Sequence, residues 1–110
     1  MDHPDYLLVL TTLPLDADAA AFATTLVEER LAACVNIHTE LQSVYRWKGA
    51  IERDSERLLL IKTTAACWEA LRERVKQLHP YQVPELIAVP IVAGSPAYLN
   101  WLSEETHHGG

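Results

Sequence analysis

Val35-Asn36-Ile37-His38-Thr39-Glu40-Leu41-Gln42-Ser43-Val44-Tyr45-Arg46-Trp47-Lys48 decides the fold. Val35, Ile37, Leu41, Tyr45 and Trp47 fall on one parity, and Asn36, His38, Glu40, Gln42, Arg46 and Lys48 on the other. A period of two is that of a strand with unlike faces. Gly49-Ala50 then suits a two-residue turn with Gly in its first central place, and the chain returns from Ile51 to Thr63. With a turn that tight, Leu41 faces Leu58 and Thr39 faces Leu60; a bulge within the run breaks this register.

Upstream, Tyr6 to Thr12 is a short apolar run before Pro14 and reads as a buried strand. Asp16 can cap a helix from about Ala17 to Leu31, in which Ala19, Phe22, Ala23, Leu26 and Val27 recur at helical spacing. Downstream, Thr63 or Thr64 caps a second helix with Trp68, Leu71, Val75 and Leu78 as its stripe, stopped by His79-Pro80. Pro84 to Pro90 encloses a short strand suited to a sheet edge. After the Ala93–Pro96 loop, Ala97 to Glu105 makes a terminal helix, and Thr106 to Gly110, with His107-His108, reads as tail. The order β-α-β-β-α-β plus a terminal helix predicts an α+β, ferredoxin-like sandwich with a long second hairpin. It is one domain over residues 1–110, with an ordered core of about 6–105.

The chain has 110 residues, 49% of them hydrophobic and 22% charged, which suits one globular core. Nine Lys+Arg against fifteen Asp+Glu give a net charge of −6. That surface repels phosphate backbones, so no nucleic-acid partner is expected. No apolar run approaches the ~20 residues of a membrane span. The acidic Met1–Asp5 stretch lacks the basic-then-apolar pattern of a signal peptide. Cys34 and Cys67 lie outside any C-x-x-C pattern, and two reduced thiols are expected rather than a disulfide. A cytoplasmic protein follows.

Two features argue against a monomer. The alternating run would span roughly 46 Å at about 3.3 Å per residue, against about 17–20 Å for an ordinary strand. Part of the hairpin must therefore project or bend. In addition, Leu7–Leu10, Leu58–Ile61 and Leu86–Val89 are apolar on both parities. The two main helices cover one sheet face only, so either the terminal helix or other copies of the chain must shelter the second. Association through sheet faces and hairpin arms is the reading adopted.

Catalytic patterns are lacking. Neither cysteine is read as a nucleophile, and there is no G-x-S-x-G, phosphate-binding glycine loop or paired metal-ligand spacing. The protein is therefore read as not an enzyme. His79, Tyr81 and Glu85 share a short loop in which imidazole and carboxylate can converge on a metal, although a cationic His at a helix C-terminus has a sufficient structural reason to be there. Tyr45, Trp47, Trp68 and Trp101 can line a pocket for a flat ligand, core or interface packing being the ordinary use of such rings. Lys62, with Arg46 and Lys48, can receive an anion in a cleft between subunits.

Several spaced motifs then resemble one family. Leu26-Val27-Glu28-Glu29-Arg30-Leu31-Ala32-Ala33-Cys34-Val35-Asn36, Ser43-Val44-Tyr45-Arg46-Trp47-Lys48-Gly49, Leu59-Leu60-Ile61-Lys62-Thr63, His79-Pro80-Tyr81-Gln82-Val83-Pro84-Glu85 and Tyr98-Leu99-Asn100-Trp101 are similar to the CutA divalent-cation tolerance proteins. The likeness runs over about residues 6 to 102. It implies a homotrimer of ferredoxin-like subunits and a role in tolerance to divalent cations, copper above all, with no established catalytic reaction. Copper-binding members carry a Cys at the end of the first strand and two adjacent His before the Pro-Tyr pair. Those positions are Thr11, Leu78 and His79 here, and a soft Cu(I) ion lacks its thiolate. The metal candidates are thus His79, Glu85 and Thr11, for copper or another divalent cation at subunit interfaces. Tyr45, Trp47, Lys62, Tyr81 and Trp101 are the ligand or interface candidates. The alternative is a regulatory trimer that binds a small ligand or partner protein in inter-subunit clefts, by analogy of architecture with nitrogen-signalling regulators.

Overall fold

A computed structural model describes residues 5–106; the His107-His108 tail lies outside them. Its elements are β1 (Tyr6–Pro14), α1 (Ala19–Glu28), β2 (Cys34–Trp47), β3 (Ala50–Thr64), α2 (Trp68–Leu78), β4 (Ile87–Pro90) and α3 (Pro96–Glu105). The strands form one antiparallel sheet in the order β2-β3-β1-β4, the ferredoxin-like arrangement that the pattern predicts. Leu7, Val9 and Leu13 of β1 and Leu59 and Ile61 of β3 point to one face, where Phe22, Leu26, Leu71 and Val75 of the two helices close the core. Leu8, Leu10, Leu58 and Leu60 alternate onto the other face and are half-buried. The terminal helix α3 covers part of that face: Leu102 is fully buried and the Tyr6 hydroxyl meets Ser103 Oγ at 3.0 Å. Ile87 and Val89, on the same face beside Leu10 and Leu8, stay 50% and 42% exposed.

Local signals were displaced in three places. The α1 cap is Asp18, whose carboxylate accepts from the Ala21 amide at 3.0 Å, and not Asp16. Helix α1 stops at Glu28 because Arg30 turns left-handed (φ 60°), letting the Leu31 amide reach Leu26 O and the Arg30 amide reach Val27 O. This pair of bonds satisfies carbonyls that the last turn leaves open. Thr63 and Thr64 do not cap the second helix. Thr63 is buried and donates to Leu31 O at 2.7 Å, and a 3-10 turn over Ala65–Cys67 precedes α2. Both cysteines are free thiols.

The hairpin departs most from the expected register. Its turn is Lys48-Gly49, with φ of 51° and 83°, so Trp47 pairs with Ala50. Two consecutive positive-φ residues are what a tight turn matched to strand twist requires. Leu41 therefore faces Glu56, not Leu58. Between His38 and Leu41 the ladder shifts by one residue, the bulge that the simple alternation leaves out. Its effect is large because a slip of one exchanges the two faces. Val35 and Ile37 pair with Ile61 and Leu59 and pack on the core. Past the bulge, Leu41, Tyr45 and Trp47 share their face with Glu56 and Glu52 instead. Beyond Pro14↔Glu56 the ribbon has no third strand, so residues 42–55 pair only with each other. They extend the molecule to 43 Å along its longest axis, against 29 and 23 Å across.

Gly49→Ala is expected to cost about 1–2 kcal/mol, because a Cβ at positive φ is strained even where, as here, nothing lies within 4 Å of it. Equilibrium urea unfolding measures it, and an unchanged midpoint would contradict the turn assignment.

Candidate functional site

His79 follows the last turn of α2, where its backbone swings to an extended conformation ahead of Pro80. The amide still bonds back to Val75 O at 2.8 Å, so the helix ends with the ring turned inward. The ring is 8% exposed and lies edge-on to Phe22, with centroids 6.1 Å apart. Both ring nitrogens are engaged. Nδ1 accepts the Tyr81 amide N–H at 3.1 Å, and Nε2 lies 2.7 Å from Thr12 O. An amide can only donate and a carbonyl can only accept, so the geometry selects the neutral tautomer protonated at Nε2. Burial holds the His79 pKa below its usual range, against the Thr12 bond and the nearby Glu56 carboxylate, which pull it up.

This ring orders the following loop. Tyr81 packs at 5.0 Å from it and donates its hydroxyl to Glu56 Oε2 at 2.6 Å. Thr11, fully buried, donates to Glu85 O at 2.7 Å and pins the end of the loop to β1. Across the gap, the Tyr45 hydroxyl donates to Asp54. The bond to Asp54, with burial and the charges of Glu52 and Glu56, raises the Tyr45 pKa to about 12. Burial and the Glu56 carboxylate likewise raise that of Tyr81. Both phenols are therefore neutral donors at ordinary pH. Between loop and ribbon lies a cavity of about 700 Å³ bordered by Tyr45, Trp47, Tyr81, Glu56, Glu85 and Thr12.

The structure thus brings together His79, Tyr81, Glu85, Thr11, Tyr45 and Trp47 of the expected site residues, with the first and fourth serving as scaffold. Lys62 and Trp101 lie elsewhere. Lys62 bonds to Asn36 on β2, and Trp101 packs on Tyr98 within α3, 5.5 Å between centroids. Trp68 packs against the core. Sequence reasoning missed Glu56 and Asp54. Glu56 stands two residues before the Leu58–Ile61 run, but only the bulge and the true turn place it opposite Leu41 and under Tyr81.

The donors do not fit a copper centre. His79 has no uncommitted nitrogen, the Thr11 hydroxyl is spent on a carbonyl, and only the exposed Glu85 carboxylate is at liberty. Among the described residues no group of three or more His, Cys, Asp or Glu could hold a metal ion.

Because the folded His79 pKa is lowered, the folded state binds fewer protons and stability rises with pH. This contribution is fully present above the unfolded value of about 6.5 and is lost as pH falls through the folded one. Unfolding midpoints should therefore fall on acidification below pH ~6.5, and His79→Gln should flatten that slope. A ring titrating above 6.5 by NMR would contradict the buried neutral tautomer. His79→Ala should cost roughly 2–4 kcal/mol, leaving the Thr12 carbonyl and Tyr81 amide unpaired beside a void.

Residues 7–105 match the family described as CutA1 divalent ion tolerance protein. A divalent-cation tolerance protein CutA of Thermus thermophilus is 54% identical over 99 residues, covering 90% of this chain and 96% of that protein. The mouse protein CutA is 47% identical over 95 residues, covering 86% of this chain but 54% of its own length. Among solved structures, the Thermus thermophilus protein superposes with a TM-score of 0.89 at 53% identity, covering 93% of this chain and 99% of that one. CutA1 of a psychrotrophic Shewanella gives 0.90 at 40% identity, covering 96% and 98%. The ferredoxin-like sheet, the long bulged hairpin and the His79–Glu85 loop are therefore those of a member of the CutA1 divalent ion tolerance family, to which this chain belongs.

Proposed function

We propose that the chain serves divalent-cation tolerance as a non-enzymatic, cytoplasmic homotrimer, and that His79 is a structural residue of the assembly rather than a copper ligand. The observation that carries the reading is the uncovered apolar surface of the ribbon and sheet. Val44 is 65% and Ile51 63% exposed on a two-stranded ribbon, which is marginal in water without further packing. Ile87 and Val89 add a second uncovered apolar surface, on the opposite face of the sheet. Copies of the same chain are the economical cover for such open strand edges and apolar ribbon. The family name supplies the tolerance role, and no helix among the described residues is long and apolar enough to cross a membrane.

Sedimentation equilibrium is expected to give three times the 12.3 kDa chain mass. Val44→Asp with Ile51→Asp should dissociate it, and Trp47→Ala should weaken it. A wild-type monomer at micromolar concentration would overturn the assembly. Cu(II) titration of metal-free protein should be unchanged by His79→Gln, and loss of a tight site in that variant would restore the imidazole as ligand.

A second reading, a regulatory module that takes a small ligand in its clefts, is favoured by the 700 Å³ cavity, a size typical of small-molecule sites.

A further inference from the structure

Glu56 is the most unusual charge in the molecule. Its residue is 5% exposed, yet among the described residues no Lys, Arg or His forms an ion pair with it. Its side-chain partner is the Tyr81 hydroxyl, a neutral donor. A buried carboxylate without a counter-cation is costly, and removing a carboxylate from water is normally offset by a positive charge or several donors. Tyr81 supplies one strong, charge-assisted bond. The neighbouring imidazole is committed elsewhere, as the neutral Nε2–H tautomer.

What surrounds that carboxylate is equally one-sided. The cavity it borders adds a second carboxylate, Glu85, and three aromatic side chains, Tyr45, Trp47 and Tyr81, with no Lys or Arg on its wall. Aromatic faces carry negative quadrupole density and attract cations within about 6 Å. The Trp47 indole already takes one such charge, with Lys48 Nζ 5.7 Å from its centroid. The tyrosine hydroxyls are turned onto Asp54 and Glu56 rather than left as free donors for an incoming acceptor. An anionic ligand would meet carboxylates, and a purely apolar one would leave Glu56 desolvated and unpaired.

We infer that the cavity between the hairpin and the Tyr81–Glu85 loop is a binding site for an organic cation, an ammonium or guanidinium group on an apolar or flat stem. Glu56 receives the charge, Trp47 and Tyr45 form the aromatic wall, and Glu85 supplies a second, solvent-facing contact. Tyr81 is a positioning residue, holding the Glu56 carboxylate in place. The inference rests on the second reading above and names its ligand class. Lys62, Arg46 and Lys48, expected to receive an anion between subunits, do not line this cavity.

Calorimetric titration with benzamidinium, benzamide and benzoate tests it, because the three are flat molecules of nearly one shape carrying charges of +1, 0 and −1. Benzamidinium is expected to bind the wild-type protein at least about tenfold more tightly than benzamide, with benzoate weakest. Glu56→Gln, which keeps the size and the acceptor for Tyr81, should abolish that preference while leaving benzamide binding in place. Glu85→Gln, at an exposed position that cannot disturb folding, should reduce it by a smaller factor. Tyr81→Phe should weaken benzamidinium binding and be rescued by no change of salt, as expected for a positioning role at a buried charge. Equal affinities for benzamidinium and benzamide, no benzamidinium binding, or an unchanged preference in Glu56→Gln would each overturn the inference. So would loss of the trimer in Glu56→Gln together with absent benzamidinium binding, since a cationic side chain of a second copy would then be the occupant. Sedimentation of the same samples separates the two claims. A charge-selective monomer keeps the cation site and refutes the inter-subunit reading, whereas a trimer indifferent to charge does the reverse.

Discussion

The one-residue bulge between His38 and Leu41 is the constraint from which the rest of the molecule follows. Before it, β2 is an ordinary edge strand, with Val35 and Ile37 turned to the helices. After it, the same alternation points Leu41, Tyr45 and Trp47 at the opposite face. The bulge lies where β1 runs out, so the ribbon changes face as it loses its third strand. A strand that kept its register would have carried Tyr45 and Trp47 on the helix side, away from the carboxylates of Asp54 and Glu56. The bulge therefore makes the aromatic and acidic wall, and leaves Val44 and Ile51 of the other ribbon face in water.

The loop opposite that wall is tied down by hydrogen bonds, with Leu78 and Leu86 packed on the core at its two ends. His79 joins β1 to the loop through Thr12 O and the Tyr81 amide, and Thr11 joins it again through Glu85 O. Each such bond contributes only about 1 kcal/mol net, but losing one partner strands a buried polar group at larger cost. That asymmetry explains why an imidazole in a motif suggestive of metal is better understood as a clamp. By contrast, the pair between Arg74 of α2 and Glu29 at the end of α1, bidentate at 2.9 and 2.8 Å but at the surface with side chains 32% and 41% exposed, adds little.

Much of this was legible in the order of residues. The 3.6 and 2.0 periods place the helices and long strands, since apolar spacing reports which side of an element meets the core. The both-parity runs Leu7–Leu10 and Leu58–Ile61 correctly signal a sheet with a second apolar face. The terminal helix shelters part of it, and Ile87 and Val89 lie beyond its reach. The clustering of His79, Tyr81 and Glu85 was also visible, being local. Errors of one or two residues, as at Asp16 against Asp18 and at the turn, arose because neighbouring residues of similar chemistry compete for the same role. For a hairpin such a small displacement is enough to change every partner.

By itself, then, the sequence determined the element order, the helix-facing core and the surplus of apolar strand surface, because these depend on periodicity along the chain. Only the tertiary structure decided what the polar side chains do. Whether His79 is a ligand or a clamp depends on which carbonyl lies 2.7 Å from Nε2, and that carbonyl, of Thr12, is 67 residues away. Whether Glu56 is a solvated surface charge or a buried one held by the Tyr81 hydroxyl depends on a turn set by Lys48-Gly49 and a bulge near Thr39. Hydrogen bonds and burial act through space at a few ångströms, so their outcome is fixed by register and packing and not by spacing in the sequence.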